Sequence, residues 1–379
     1  VTKTTTAQLF TPIKLGDVTL KHRVVMPALS RLRAHWPSAV PSDLMLEHYS
    51  QRASDGGLII TESTAIAPEA RAYHAAPGIW NDAQVAAWKR ITDAVHAKGG
   101  VMFVQLGHAG RATSEALTGI QPVSASADPT FTENPNVVVT TPEGLVPPSP
   151  HRALEIDQIA GILGQYRLAA RNAVRAGFDG IEIFSAQGHL VEQFLQDGSN
   201  KRADRYGGSV ENRTRFLMEI VDTVAGVIGR HRVGVRISPS STFNGMSDSD
   251  PQALFEYVAE RLDRFGVAYL HIIEPRISGA DTVAEGQDAI AAKDLSRIFR
   301  GTIIAAGGFT PESAEEAVAD GVASLVAFGR HFTSNPDLPA RIEHGLPLTP
   351  YDRNTFYGGG AQGYVDFPAY HAEAVLELA

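Results

Sequence analysis

The chain contains no cysteine. That excludes a disulfide framework, a thiolate metal site and a cysteine nucleophile. It also has no apolar run near the roughly 18–20 residues that a membrane-spanning helix needs. The opening VTKTTTAQLF lacks an apolar core segment, so the expectation is no signal peptide and a cytoplasmic location. Positive charge is outnumbered, with Lys+Arg 33 against Asp+Glu 42 and a net charge of −9. An acidic balance argues against nucleic acid and anionic membranes as partners and leaves a small-molecule substrate. Oligomeric state is not legible. What is present is ordinary for a globular protein: 379 residues, 44% hydrophobic and 20% charged. One barrel with insertions reaches this length.

The most informative stretch lies near the C-terminus. Two short apolar runs, Thr302–Ala306 and Ala323–Phe328, each lead into glycine and have the length and Ile/Val/Leu content of buried strands. Between them Thr310 (N-cap), Pro311 (N1) and Glu312 mark a helix start. The pattern is strand, Gly307–Gly308, helix, strand, Gly329–Arg330. Glycines there allow close backbone approach to an anion, and Arg330 adds a charged fork. In a (β/α)₈ barrel the loops after strands seven and eight are the usual phosphate site.

Upstream, the same alternation repeats. Strands are expected at His22–Ala28, Gly57–Thr61, Val101–Leu106, Gly180–Phe184, Val233–Ile237 and Ala268–Ile273. Helices are expected at Leu44–Ala53, Ala83–Ala97, Ile156–Ala176, after Ser209, from Pro251 to Phe265 and at Ala291–Phe299. Loops are expected at 187–208 and 274–288. A proline-rich excursion at 109–151, with part of a hairpin at Asn136–Thr141, follows strand three. A Gly- and Tyr-rich tail, 351–379, is expected over the barrel mouth. Eight strand–helix units without a linker predict one α/β domain over 1–379, a closed TIM barrel. An open dinucleotide-binding sheet would want G-x-G-x-x-G after the first strand, and MPALSRLRA is unlike it.

Catalytic groups in such a barrel sit at strand ends. A Schiff-base aldolase needs an inner-strand lysine, but Lys3, Lys14, Lys21, Lys89, Lys98, Lys201 and Lys293 fall on tail, helices or loops. A metal hydrolase needs converging histidines and carboxylates; the histidines here are scattered, so no metal is expected. A planar cofactor fits better. Gln105 offers a donor and an acceptor to a ring edge, and Arg236 is a fixed cation on a barrel strand. With the phosphate loops these point to FMN.

The same residues carry a family resemblance. LFTPIKLGDVTLKHRVVMPALSRLRA (9–34), FVQLGHAGR (103–111), QFLQDGSNKRADRYGGSVENRTRF (193–216), VGVRISPSSTFNGM (233–246), AAGGFTPESAEEA (305–317) and LVAFGRHFTSNPDL (325–338) resemble the Old Yellow Enzyme family over nearly the whole chain. The resemblance implies a (β/α)₈ barrel holding FMN non-covalently, reduced by NADPH or NADH. Flavin N5 then passes hydride to the β-carbon of an activated alkene: an enone, maleimide or nitroalkene. By the same resemblance Pro27, Ala28, Leu29, Ser30, Ser63, Gln105 and Arg236 would surround the ring. Gly307, Gly308, Gly329 and Arg330 would hold the phosphate, and Tyr73 and Tyr357 would fall in the substrate pocket.

The chain departs from the family after strand four. The usual H-x-x-N-x-Y or H-x-x-H-x-Y reads Phe184-Ser185-Ala186-Gln187-Gly188-His189. Phe184 offers no donor, Gln187 keeps an amide N–H, and His189 stands where tyrosine donates a proton. His189 is therefore the expected catalytic proton donor, its unperturbed pKa of about 6.5 suiting the task. Gly107 replaces a family tryptophan, which should open the pocket. Losing one oxyanion donor costs about 10²–10³-fold in rate. Desaturation, isomerisation or nitro and nitrate-ester reduction on the same scaffold therefore stay open. So do a catalytically weak flavin-binding protein and a flavin-free barrel isomerase or lyase.

Overall fold

A computed structural model describes residues 7–286 and 289–370. The expected tail residues 371–379, and 287–288 at the end of the 274–288 loop, lie outside them. Eight strands form one closed parallel sheet: β1 (Val24–Met26), β2 (Leu58–Ile60), β3 (Val101–Gly107), β4 (Gly180–Ser185), β5 (Val233–Ile237), β6 (Tyr269–Ile273), β7 (Thr302–Ala306) and β8 (Leu325–Ala327). Neighbours follow chain order. The ring closes where Val326 of β8 pairs with Val24 of β1. The fold is a (β/α)₈ barrel.

Period-two alternation sorts the strand residues into two layers. Val25, Leu58, Ile60, Phe103, Tyr269, Ile304 and Leu325 point inward and pack together. An antiparallel hairpin, Ile13–Leu15 with Val18–Leu20, adds Leu15 and Leu20 to that cluster. Val24, Met26, Ile59, Met102, Val104, Ile181, Ile183, Val235, Leu270, Ile272 and Ile303 point outward under the helices. Two glycines fix the inner layer. A Cβ on Gly180 would stand 2.1 Å from the Phe103 ring, and one on Gly234 2.1 Å from the Tyr269 ring.

The helices start where cap chemistry places them. Asn81 caps Asp82–His96 in a capping box, and Trp88, Ile91 and Val95 of that helix are buried. Ser209 caps Val210–Ile228, Asp250 caps Pro251–Phe265, and Thr310 caps Pro311–Ala319. Three expectations need correction. The loop 187–208 contains a helix, Leu190–Leu195, all of whose residues are buried. Its six residues are fewer than two turns, and its polar Glu192 and Gln193 are buried with the rest. The loop 274–288 contains a hairpin, Ile277–Ser278 with Asp281–Thr282. The helix at 291–299 shrinks to Ala292–Leu295, with single turn bonds such as Ile298 N–H to Leu295 O beyond it.

In the excursion, Val139–Thr141 pairs with Gly144–Val146, and His74 N–H donates to Thr140 O. Residues 353–366 are fastened to the loop after β1. Arg31 donates to the carbonyls of Phe356, Thr355 and Gly363, and Arg33 to Gly360, Phe356 and Thr355. Tyr364 lies between the His48 ring, stacked at 3.9 Å, and the Arg33 guanidinium at 4.2 Å. This fixes the segment that carries Tyr357 against the C-terminal end of the barrel.

Candidate active site at the barrel mouth

Near the top of the barrel interior, polar side chains replace the apolar layer. Gln105 of β3 donates from Nε2 to Glu182 Oε1 of β4 at 2.7 Å, and His271 of β6 bonds Glu182 Oε2 through Nδ1 at 2.7 Å. Burial pushes the Glu182 carboxyl up, but His271, Arg236 and the Gln105 amide outweigh it and hold the group below its ordinary range. Burial depresses His271 while Glu182 raises it, and Arg236 adds a further positive charge near the carboxylate. The sequence reading missed Glu182 and His271. Alternation along Gly180-Glu182-Phe184 places a carboxylate inside the barrel and could have revealed it.

Arg236 donates from Nη1 to Ala28 O at 3.1 Å, which brings β5 to the loop Pro27–Ser30. Its Nε is buried without a partner. A guanidinium with an unfilled donor at the barrel top fits a ring edge rich in carbonyl oxygens. On the far side Gly307 has φ +133° and Gly308 φ +65°, conformations that L side chains rarely adopt. A Cβ on Gly329 would stand 3.1 Å from Leu29 Cδ2, so the last phosphate-loop glycine abuts the first strand's loop. This glycine cradle and the open Arg236 donor suit a flavin mononucleotide. Arg330 spends two arms on the Ile277–Thr282 hairpin, donating to Thr282 Oγ1 at 2.8 Å and Ala280 O at 2.7 Å. Arg276, not singled out from sequence, donates to Gly307 O at 2.7 Å and adds a second cation beside the cradle.

The loop after β4 is built tightly. Gln187 has φ +57° and Gly188 φ +70°, and a Cβ on Gly188 would stand 2.5 Å from Asn244 Cβ. The left-handed Gln187 is held on three sides. Its N–H donates to Ser238 Oγ at 2.9 Å, its carbonyl accepts from Asn244 Nδ2 at 2.9 Å, and its side-chain Oε1 accepts from Gly279 N–H at 2.9 Å. Glu192, buried and pushed up to about 8 by desolvation, accepts from Gly188 N–H and from Ser238 Oγ. Because a backbone N–H occupies the Oε1 end, the free end of the Gln187 amide is its NH₂.

Phe184 packs with Ala186, Ile273 and Ile277, and its ring lies 4.5 Å from that of His189. The pocket does not simply open at Gly107. A Cβ there would stand 2.4 Å from Ser63 Oγ and 3.5 Å from Phe184 Cδ1, so Ser63 and Phe184 close over the bare strand. His189 is buried, and desolvation lowers its pKa to about 4. This corrects the expectation of a group titrating near neutrality: at pH 7 His189 is an uncharged imidazole. Tyr73, pushed up to about 12 by burial and by Tyr357, and the exposed Tyr357 lie within electrostatic reach of each other at the rim.

A family model described as the NADH:flavin oxidoreductase / NADH oxidase family matches residues 8–349. The chain is 43% identical over 369 residues to 12-oxophytodienoate reductase 2 of Arabidopsis thaliana, covering 97% of this chain and 96% of the relative. It is 44% identical to 12-oxophytodienoate reductase 1 of Oryza sativa subsp. japonica, covering 95% and 92%. Among solved structures it resembles morphinone reductase with a TM-score of 0.90 and 44% identity, covering 98% and 99% of the two chains. It resembles the old yellow enzyme homologue from Zymomonas mobilis with a TM-score of 0.89 and 39% identity, covering 96% and 99%.

Proposed function

The chain belongs to the NADH:flavin oxidoreductase / NADH oxidase family, the Old Yellow Enzymes, as an FMN-dependent NAD(P)H oxidoreductase that reduces activated C=C bonds, and from that premise we propose how its altered pocket works. Bound FMN, reduced by NAD(P)H, supplies the hydride that adds to the electron-poor carbon. Arg236, Gln105, Ser63 and the loop Pro27–Ser30 would hold its ring, and Gly307, Gly308, Gly329 and Arg330 its phosphate. Gln187 and His189 polarise the activating oxygen of the alkene. Phe184 is an apolar wall that sets substrate shape, and Tyr73 and Tyr357 line the rim.

The observation that carries this reading is the Gly279 bond to Gln187 Oε1, which leaves the amide NH₂ as the end that can donate. His189 acts as a neutral N–H donor rather than as the proton donor. Giving its proton away outright would leave an imidazolate, whereas a neutral imidazole polarises a carbonyl without titrating. The α-carbon proton then comes from water. A cytoplasmic location, where NAD(P)H is available, fits this role.

The test is an anaerobic spectral cycle. The purified holoprotein should show a flavin band that NADH or NADPH bleaches and that enones, maleimides or nitroalkenes restore. A band restored only by oxygen, or no flavin at all, would refute the reading.

A further inference from the structure

A neutral imidazole donates from only one nitrogen, and which one is set by what the other nitrogen meets. His189 is useful as a donor only if its proton sits on the nitrogen that faces the substrate. Among the described residues, His189 Nδ1 is buried and has no partner. Among the described residues, His108 at the end of β3 lies within electrostatic reach, since charge on His189 lowers its pKa. The two segments are tied together, since Leu190 N–H donates to His108 O at 2.9 Å.

His108 has a tautomer fixed by the backbone. Gly110 N–H donates to its Nδ1 at 3.0 Å, so Nδ1 is an acceptor and the proton is on Nε2. Gly110 is suited to this by its φ of +62°, and a Cβ there would stand 2.2 Å from Gln193 Oε1. The resulting His108 Nε2–H is also buried without a partner. His108 borders a cavity of about 280 Å³ beneath residues 120–123, but Nε2 itself is closed to solvent, so the cavity does not satisfy it. The mouth thus holds one orphaned acceptor-capable nitrogen on His189 and one orphaned donor on its neighbour. The direct bond is not formed among the described residues.

We propose that His108 is a positioning residue whose Nε2–H, directly or through one water, bonds His189 Nδ1 and so fixes His189 as the Nε2–H tautomer presented to the substrate oxygen. The proposal rests on the donor role given to His189 above. The wiring runs Gly110 N–H to His108 Nδ1, His108 Nε2–H to His189 Nδ1, and His189 Nε2–H to substrate. No proton travels along it; each bond only orients the next. Where a catalytic imidazole loses the group that fixes its tautomer, as in serine proteases, the rate falls by as much as about 10⁴-fold.

The experiment is nitrogen-15 NMR on the FMN-loaded protein labelled in histidine, with His189 assigned by comparison with His189→Ala. The expected wild-type result is a protonated Nε2 and an unprotonated Nδ1. His108→Phe should shift the proton toward Nδ1 and slow alkene-dependent flavin reoxidation by about 10-fold or more. His108→Gln, which keeps an acceptor for Gly110 and a donor for His189, should restore both. A wild-type proton on Nδ1 would overturn the proposal, with or without a folded variant. So would an unchanged tautomer in a flavin-loaded His108→Phe. Failure of the underlying functional reading looks different: His189→Ala would reduce alkenes at the wild-type rate while the wild-type tautomer remained Nε2–H.

Discussion

The Gly279 N–H donates to the side-chain oxygen of Gln187 at 2.9 Å, across two barrel loops that are 92 residues apart in the chain. This bond decides what Gln187 can do. With its acceptor end occupied, the NH₂ is the end of the amide left to donate.

Removing that donor should slow alkene reduction while sparing the cofactor. Gln187→Leu is expected to lower the alkene-dependent reoxidation rate by about 10²–10³-fold, the usual cost of one oxyanion donor. Gln187→Glu should behave alike, because a carboxylate still accepts from Gly279 yet donates nothing. Rapid mixing of reduced protein with an enone measures both. Equal rates in wild type and Gln187→Leu would remove Gln187 from the site.

Restoring the family pattern should widen the substrate range. Phe184 turns an apolar ring toward Ile273, Ile277 and His189. The double change Phe184→His with Gln187→Asn should raise turnover of simple cyclic enones by about tenfold or more, since it adds a hydrogen-bond donor. Steady-state kinetics with a small cyclic enone checks this, and no gain would mean the pocket walls differ elsewhere.

Arg236 should matter to both cofactor and fold. It neutralises Glu182 inside the barrel and leaves its Nε free for the flavin. Arg236→Ala is expected to purify largely colourless and to be destabilised, because the buried Glu182 loses a positive neighbour. Arg236→Lys should recover most of the stability but less of the flavin affinity. The flavin absorbance ratio and a denaturant titration measure these separately.

The buried carboxyl Glu192 should give a pH-dependent stability. Its folded pKa, about 8, lies above the unfolded value near 4.3, so the folded state binds more protons between them. Its contribution to stability is therefore present below about pH 4.3 and lost as pH climbs toward 8. Glu192→Gln, which mimics the protonated form, should flatten that decline; unfolding midpoints at about pH 5 and pH 8 give the comparison. The buried histidines 22, 108 and 189, lowered to about 4, 3 and 4, act in the opposite sense and cost stability as pH falls below about 6.5.

Much of this was legible in the chain because its signals are local. Asp250 and Pro251 start a helix that ends at Phe265 before Gly266, and Thr302–Ala306 is a strand to the residue. The helix Leu190–Leu195 was not legible, since six residues give fewer than two turns of periodicity inside a polar stretch. Neither was the Gln105–Glu182–His271 network, whose members come from three strands and meet only through sheet register. The hairpin at 277–282 is two short pairs held by Arg330 and Gln187 from distant loops, so its own residues carry little strand signal. The family resemblance named His189 as a pocket residue, but its neutrality depends on burial, which no motif encodes.

The most direct measurement is the pH dependence of one step. Reduced holoprotein is mixed anaerobically with a single enone across about pH 5.5–8.5, and the reoxidation rate is read at each pH. With His189 as a neutral hydrogen-bond donor whose pKa is about 4, the account predicts a flat profile in wild type and a lower, equally flat one in His189→Phe. A wild-type rate that fell about tenfold with each pH unit, a slope absent from His189→Phe, would show that a scarce imidazolium delivers the proton and would contradict the account.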